Sequence, residues 1–143
     1  MREQDLIDKL RKIERLHAGT SSAGERGAAA EAIERIKRRL SSLEKDEPAA
    51  EYRFKLSDDW SRKLFIALLR RYGIKPYRYA RQRRTTVMAR VPVSFVDSTL
   101  WPEFLELSAI LREYLAEITD RVIAEGIHAD TADEEVITNE LPF

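Results

Sequence analysis

Arginine and tyrosine side chains crowd one stretch in the middle of this 143-residue sequence. A guanidinium group binds two phosphate oxygens at once through its forked N–H donors, and a flat ring stacks on a base. The combination predicts a surface that contacts nucleic acid, DNA or RNA. The candidate site consists of Arg70, Arg71, Tyr77, Arg78, Tyr79, Arg81, Arg83, Arg84 and Arg90.

Charge is strongly segregated along the chain, although its 25 basic and 25 acidic residues cancel overall. Residues 1–52 are neutral, residues 53–90 carry a net charge of +10, and residues 91–143 carry a net charge of −10. A basic block of this size favours an anionic partner.

The basic block also has other interpretations. Its arginines can pair with the acidic final helix of the same chain, pair with that helix in a second copy, bind a different acidic protein, or form a solvated face. Nucleic acid is the partner we favour, and a protein partner or self-association is the alternative. The choice depends on the distance between the arginines and the acidic helix, which the tertiary fold sets.

No motif in the sequence indicates catalysis or a metal site. The chain has no Cys, and its two histidines, His17 and His128, have no second His or Cys at ligand spacing. Glu103 and Glu106 are expected on the solvated side of the final helix, where no pocket would shift a carboxyl pKa. We therefore expect a non-enzymatic protein without catalytic residues, metal ligands or a cofactor.

Helical periodicity predicts that residues 1–45 form an antiparallel helical hairpin, with a small-residue loop between the helices. The apolar stripes of the two helices are Leu6, Leu10, Ile13, Leu16, and Ala29, Ile33, Ile36, Leu40, Leu43.

Residues 51–126 are predicted to form an α+β module. Tyr52, Phe54 and Leu56 alternate with basic residues as in a half-buried strand. Ser57 and the two aspartates after it start a helix that Gly73 ends. Residues 74–80 and 85–91 then form a β-hairpin around a four-residue turn, which carries the basic site.

A long acidic helix closes the module, and its apolar stripe is the most regular in the chain: Leu100, Phe104, Leu107, Leu111, Tyr114, Ile118 and Val122. We expect this helix to end at Gly126 and residues 127–143 to form a flexible acidic tail. In the alternative function, the seam from Leu100 to Val122 engages another chain.

The opening stretch Lys9-Leu-Arg-Lys-Ile-Glu-Arg-Leu16, followed by Glu25, Ala29 and Ala32, resembles an uncharacterised bacterial and phage family. Members of that family begin with a Lys-Ile-Arg-Lys-Leu-type helix, and many continue with a Trp-initiated helix and a hairpin, which residues 60–91 match in outline. The resemblance implies the two-part organisation and no activity.

The fold class that follows is α+β, with a helical hairpin and then a small antiparallel sheet that packs against a long C-terminal helix. The longest wholly apolar run, residues 64–69, is too short to cross a bilayer. We therefore expect a cytoplasmic protein that does not associate with membranes.

Overall fold

The computed structural model describes residues 1–19 and 25–139, and for residues 25–28 it describes the backbone alone. The serines and glycine of the predicted loop at positions 20–24, and the last four residues of the predicted tail, lie outside the described residues. The helices are α1 (Glu3–Ala18), α2 (Glu25–Asp46), α3 (Asp59–Arg71), α4 (Val93–Phe95) and α5 (Trp101–Gly126). The strands are β1 (Ala50–Lys55) and β2 (Thr86–Val91).

Helix α1 packs along α5 in the opposite direction. The N-terminal amine of Met1 pairs with Glu117, and His17 at the other end of α1 lies 3.1 Å from Glu106. Leu6 and Ile13 are buried as expected, but Leu16 is 65% exposed. Glu14 lies on the buried face of α1. Because successive residues turn about 100° around a helix, Leu16, two residues later, points to nearly the opposite side.

Helix α2 contributes Ala32, Ile36 and Leu40 to the core. Arg35 and Arg39 of α2 donate hydrogen bonds to the carbonyls of Gly19 and His17. Because these carbonyls belong to the last turn of α1 and its cap, the C-terminal end of α1 lies against the middle of α2. Arg39 also donates to the hydroxyl of Thr99, which ties both helices to the start of the C-terminal helical region.

The sheet pairs β1 with β2 antiparallel, from Ala50 opposite Val91 to Lys55 opposite Thr86. The predicted hairpin is thus realised differently. Residues 74–80 form no strand, and only Tyr77 bridges to Met88 at the far edge of β2. The alternating pattern of residues 52–56 was correctly assigned to a strand, but the partner of that strand lies over thirty residues away, where a local pattern gives no information.

Helix α3 begins where expected, although Asp58 and not Ser57 caps it, with its carboxylate accepting from the Ser61 N–H at 2.8 Å. Gly73, with φ of +74°, follows the helix in the left-handed conformation that glycine adopts most readily. Trp60 of α3 is half-buried, under the guanidinium of Arg112, and Phe65 of the same helix is fully buried.

The C-terminal helical region starts at Val93, with α4 and a π-helical segment over Val96–Leu100 before α5. Leu100, Phe104 and Leu107 lie in the core, whereas Val122 is 60% exposed. The apolar seam is therefore divided. Its first half holds this fold together and is closed to a partner, and its last part extends beyond α1.

One hydrophobic core joins the two predicted parts. Ile36 of α2 belongs to the same buried cluster as Phe54, Phe65, Phe95 and Leu100. The prediction of an α+β fold with N-terminal helices, a small antiparallel sheet and a long C-terminal helix is confirmed. No helix in the described part of the chain combines the length and apolar character needed to cross a bilayer.

Candidate functional site

The candidate site lies on the outer face of the two-stranded sheet, which we call the basic face. Strand alternation turns Phe54, Val87 and Ala89 into the core, and it turns the residues between them outward. The register places Lys55 opposite Thr86, Arg53 opposite Met88, and Glu51 opposite Arg90.

Tyr77 and Tyr79 lie across this face, bound to its acidic member. Both hydroxyls donate to one carboxylate oxygen of Glu51, that of Tyr77 at 2.6 Å, and the two rings pack edge to face with centroids 5.7 Å apart. The hydrogen bonds from Tyr77 and Tyr79 lower the pKa of Glu51, and the bond to Glu51 raises the pKa of Tyr77 to about 12. Tyr79 remains 50% exposed, so a face of its ring is available to solvent.

The loop between residues 79 and 86 consists of two consecutive tight turns. The N–H of Gln82 donates to the Tyr79 carbonyl at 3.0 Å, and the N–H of Thr86 donates to the Arg83 carbonyl at 2.9 Å. The Gln82 side-chain carbonyl accepts from the Tyr79 N–H at 3.0 Å, which closes the first turn from the inside. Tight turns project their side chains outward, so Arg81 and Arg83 are exposed.

A cleft of about 520 Å³ opens between β1 and this loop. It is lined by four cations, two hydroxyls and one amide: Arg53, Lys55, Arg81, Arg83, Thr85, Thr86 and Gln82. Within the described residues, none of the four cationic side chains makes a hydrogen bond or an ion pair. The cleft therefore has the donor groups of an anion site and contains no acidic side chain.

The other predicted site residues are engaged within the chain to different degrees. Arg84 pairs with Asp59 at 3.2 Å, Arg90 lies 3.8 Å from Glu51, and Arg78 donates to the Gln82 carbonyl at 2.6 Å. Each of these three arginines is exposed, and such surface pairs are weak enough to be exchanged for a ligand. Arg70 is exposed at the end of α3.

Arg71 does not belong to the basic face. Its Nη2 donates to Oε1 of Glu14 at 2.7 Å, and its Nε donates to Oε2 at 2.5 Å, in a bidentate pair beneath α1. The sequence placed Arg71 on the site because it follows Arg70, but neighbouring residues on a helix point about 100° apart. Arg71 faces the core side, and Arg70 faces solvent.

Arg53 and Lys55 were absent from the predicted site. A signal for them was present, since both alternate with the buried residues Phe54 and Leu56 and therefore had to face outward. The sequence did not indicate that the 81–86 loop lies beside β1 in the fold.

The acidic helix leaves the basic face uncovered. Within the described residues, the ion pairs of the basic block are to Glu14, Glu51 and Asp59, and none is to an acidic residue of α5. On α5, Glu106 faces His17 and Glu117 faces the N-terminal amine. In the part of the chain that the structure describes, the exposed arginines of the basic face therefore form no ion pair with the chain's own final helix.

A second polar cluster, which we call the carboxylate network, is buried where α1, α3 and α5 meet. Tyr72 contacts Glu14 Oε2 at 2.8 Å and Glu103 Oε2 at 2.8 Å, and Arg71 completes the group. Glu103 is 0% exposed, so the expectation that it lies on the solvated side of α5 is wrong. Its position is three residues after Leu100 and four before Leu107, spacing that places it on their face.

Burial raises the pKa of Glu103 to about 7. Tyr72 has one hydroxyl proton and touches two carboxyl groups, so the second contact requires a proton on a carboxyl oxygen. With that proton on Glu103, Glu103 donates to Tyr72 and Tyr72 donates to Glu14, so the contact with each carboxyl group has one donor and one acceptor. The pKa of Tyr72 is raised as well, first by burial and then by Glu103.

The carboxylate network borders a cleft of about 300 Å³ with mainly apolar walls, among them Ile7, Leu64 and Leu107. Among the described residues, no group of three or more His, Cys, Asp or Glu side chains is arranged to hold a metal ion.

No family model, curated protein or solved structure matches the chain. The resemblance of its opening helices to a bacterial and phage family stays a prediction.

Proposed function

We propose that this protein binds nucleic acid through the basic face, without catalysing a reaction. The observation that carries the proposal is the cleft lined by Arg53, Lys55, Arg81 and Arg83. Four cations brought together without acidic partners repel one another, and an anionic ligand relieves that repulsion. A phosphate backbone supplies negative charges at regular spacing along such a surface.

The surroundings of the cleft support a polymeric ligand over a single small anion. Arg78, Arg84 and Arg90 continue the positive charge beyond it, held only by exposed contacts. The half-exposed ring of Tyr79, fixed through its hydroxyl to Glu51, offers a stacking surface for a base. Thr85 and Thr86 add hydroxyls that can donate to phosphate oxygens.

The test is the salt dependence of binding to a fluorescently labelled oligonucleotide, offered as single strand and as duplex and followed by anisotropy. Removing two phosphate contacts with Arg81→Ala and Arg83→Ala should flatten the slope of log affinity against log salt by about 1.8 for duplex DNA and about 1.4 for a single strand.

The matched control replaces two exposed cations outside the basic face, Lys12 of α1 and Arg38 of α2, by Ala. This variant has the same net charge as the test variant, and its slope should remain near that of the unchanged protein. If both double variants lower the slope equally, only net charge matters and the basic face is not the site. If the unchanged protein does not bind at low salt, the proposal is wrong.

A further inference from the structure

Among residues 1–19 and 25–139, strand β1 has no partner at one of its edges. The sheet contains β1 and β2, and the bridge from Tyr77 lies at the opposite edge, beside β2. The N–H of Leu56 donates to the Thr85 carbonyl, so this residue pair, the next one after the end of the strand, is hydrogen-bonded. Hydrogen-bonded and non-bonded pairs alternate along an antiparallel ladder, and Arg53 is three residues from Leu56, so Arg53 is in a non-bonded pair. Its backbone N–H and C=O groups therefore point away from β2.

The bridge to Tyr77 gives the same result independently. Met88 lies opposite Arg53. Its N–H donates to the Tyr77 carbonyl at 2.8 Å, and its carbonyl accepts from the Tyr77 N–H at 3.0 Å. Met88 thus has no backbone group left for Arg53. By the same alternation, Glu51, Arg53 and Lys55 present free N–H and C=O groups along the open edge, which is a template for another strand.

A groove of about 420 Å³ follows this edge, between β1 and the start of α5. Its floor is aromatic, since Tyr52 stacks on Phe54 at 4.7 Å and Phe54 stacks on Trp101 at 5.9 Å. Its charged lining residues are Arg53, Lys55 and Asp97, a net charge of +1. The groove therefore suits an extended segment with an apolar side chain among acidic ones.

The chain itself contains such a segment. Residues 128–139 form no helix or strand, and they include the run Asp133-Glu-Glu-Val-Ile137. Val136 is 81% exposed and Ile137 is 70% exposed, so both apolar side chains are available to a partner. Val and Ile also favour strand conformation.

The segment cannot reach the groove of its own chain. Helix α5 has 26 residues, so its first and last residues are 25 steps of about 1.5 Å apart, and Gly126 lies about 38 Å from Trp101, which borders the groove. Val136 follows Gly126 by ten residues, which span at most about 36 Å when fully extended. The tail would have to fold straight back along α5 and would still fall short.

We propose that the protein self-associates by strand addition, with the acidic segment around Val136 of one copy pairing with the open β1 edge of another. Charge complementarity selects this occupant, because three consecutive acids of the tail meet Arg53 and Lys55. Two copies that exchange tails reciprocally form a closed dimer. The proposal does not rest on nucleic-acid binding, but Arg53 and Lys55 line both the groove and the cleft of the basic face, so the tail and a nucleic acid would compete for these two cations.

The first experiment measures the mass of the full chain by sedimentation across a wide range of concentration. The unchanged protein should associate, and Val136→Asp should weaken association by at least about tenfold, because it places a charge on the aromatic floor. Val122→Asp is the control, since it changes an exposed valine of α5 outside the groove. A protein that is monomeric throughout, or one that Val122→Asp dissociates and Val136→Asp does not, would falsify the proposal.

The groove side is tested with Arg53→Pro, which removes an N–H at the open edge and leaves the bonds to β2 in place. This variant should be monomeric alone and should form a heterodimer with Val136→Asp, because one keeps the tail and the other keeps the groove. Failure of the mixture to associate, with both variants folded, counts against strand addition.

A third arm avoids any risk that the proline disturbs β1. The chain has no cysteine, so in a mixture of Lys55→Cys and Val136→Cys only one disulfide can join the two different variants, and mass spectrometry distinguishes it from disulfides between identical copies. Oxidation of the mixture should give this crosslink, and Val122→Cys in place of Val136→Cys should not. Equal crosslinking by both partners would indicate random collision and overturn the proposal.

Discussion

The basic face and the carboxylate network contain the same types of side chain in opposite surroundings. On the basic face, Arg90 and two tyrosines surround Glu51 at the surface. In the network, Arg71 and Tyr72 surround Glu14 and Glu103 in the interior. Tyrosine hydrogen bonds lower the pKa of Glu51, whereas burial outweighs a similar bond and raises the pKa of Glu103.

The comparison shows that exposure to solvent, and not residue type, distinguishes a surface that can bind a ligand from a buried polar cluster that stabilises the fold. In the interior, the polar groups must satisfy one another, because a lost partner leaves a charge that water cannot reach. At the surface, water replaces any lost partner, so the arginines are free to exchange their contacts.

The largest effect is expected for Arg71→Ala. It leaves Glu14 buried without its cation, which should lower the free energy of unfolding by about 3 kcal/mol, the low end for a broken buried pair because Arg71 is partly exposed. Urea unfolding followed by circular dichroism measures the change. Arg70→Ala is the control, one residue away and exposed, and a comparable loss there would show that the network is not special.

A smaller effect is expected from pH. The pKa of Glu103 is about 7 in the folded protein and 4.5 in the unfolded chain. Between these two pH values the folded state therefore binds one proton more than the unfolded state does. The stabilising contribution of this proton is complete below pH 4.5 and is lost as the pH rises through 7, by about 3 kcal/mol at most.

Glu103→Gln keeps a neutral hydrogen-bonding group in place of the protonated acid and removes this dependence. Unfolding free energies of both proteins, measured at several pH values between 5 and 8.5, give the difference attributable to Glu103. The difference should move in favour of Gln as the pH rises. A difference that is constant over this range would mean that Glu103 is ionised throughout.

The smallest effect on stability is expected for Arg90→Ala on the basic face. The Arg90 and Glu51 pair is exposed, so its loss should change the free energy of unfolding far less than Arg71→Ala does. The same variant should flatten the salt slope of oligonucleotide binding by about 0.9. Thermal unfolding and anisotropy measure the two effects, and a stability loss as large as that of Arg71→Ala would erase the contrast between the regions.

Local sequence patterns predicted much of this fold. The stripe through Ile36 and Leu40, the alternation around Phe54 and the glycine after α3 each depend on residues within one or two turns of chain, where periodicity and backbone preference act. The predicted hairpin was only partly formed, because β1 and not residues 74–80 provides the strand that pairs with β2.

The sequence by itself determined the kinds of charge and where along the chain they fall. Only the tertiary structure decided which charges meet. It paired Arg71 with Glu14 across 57 positions, buried Glu103 against Tyr72, and left the cations beside Arg53 without acidic partners. The physical reason is that Coulomb energy and desolvation depend on distance and burial in space, which sequence separation does not measure.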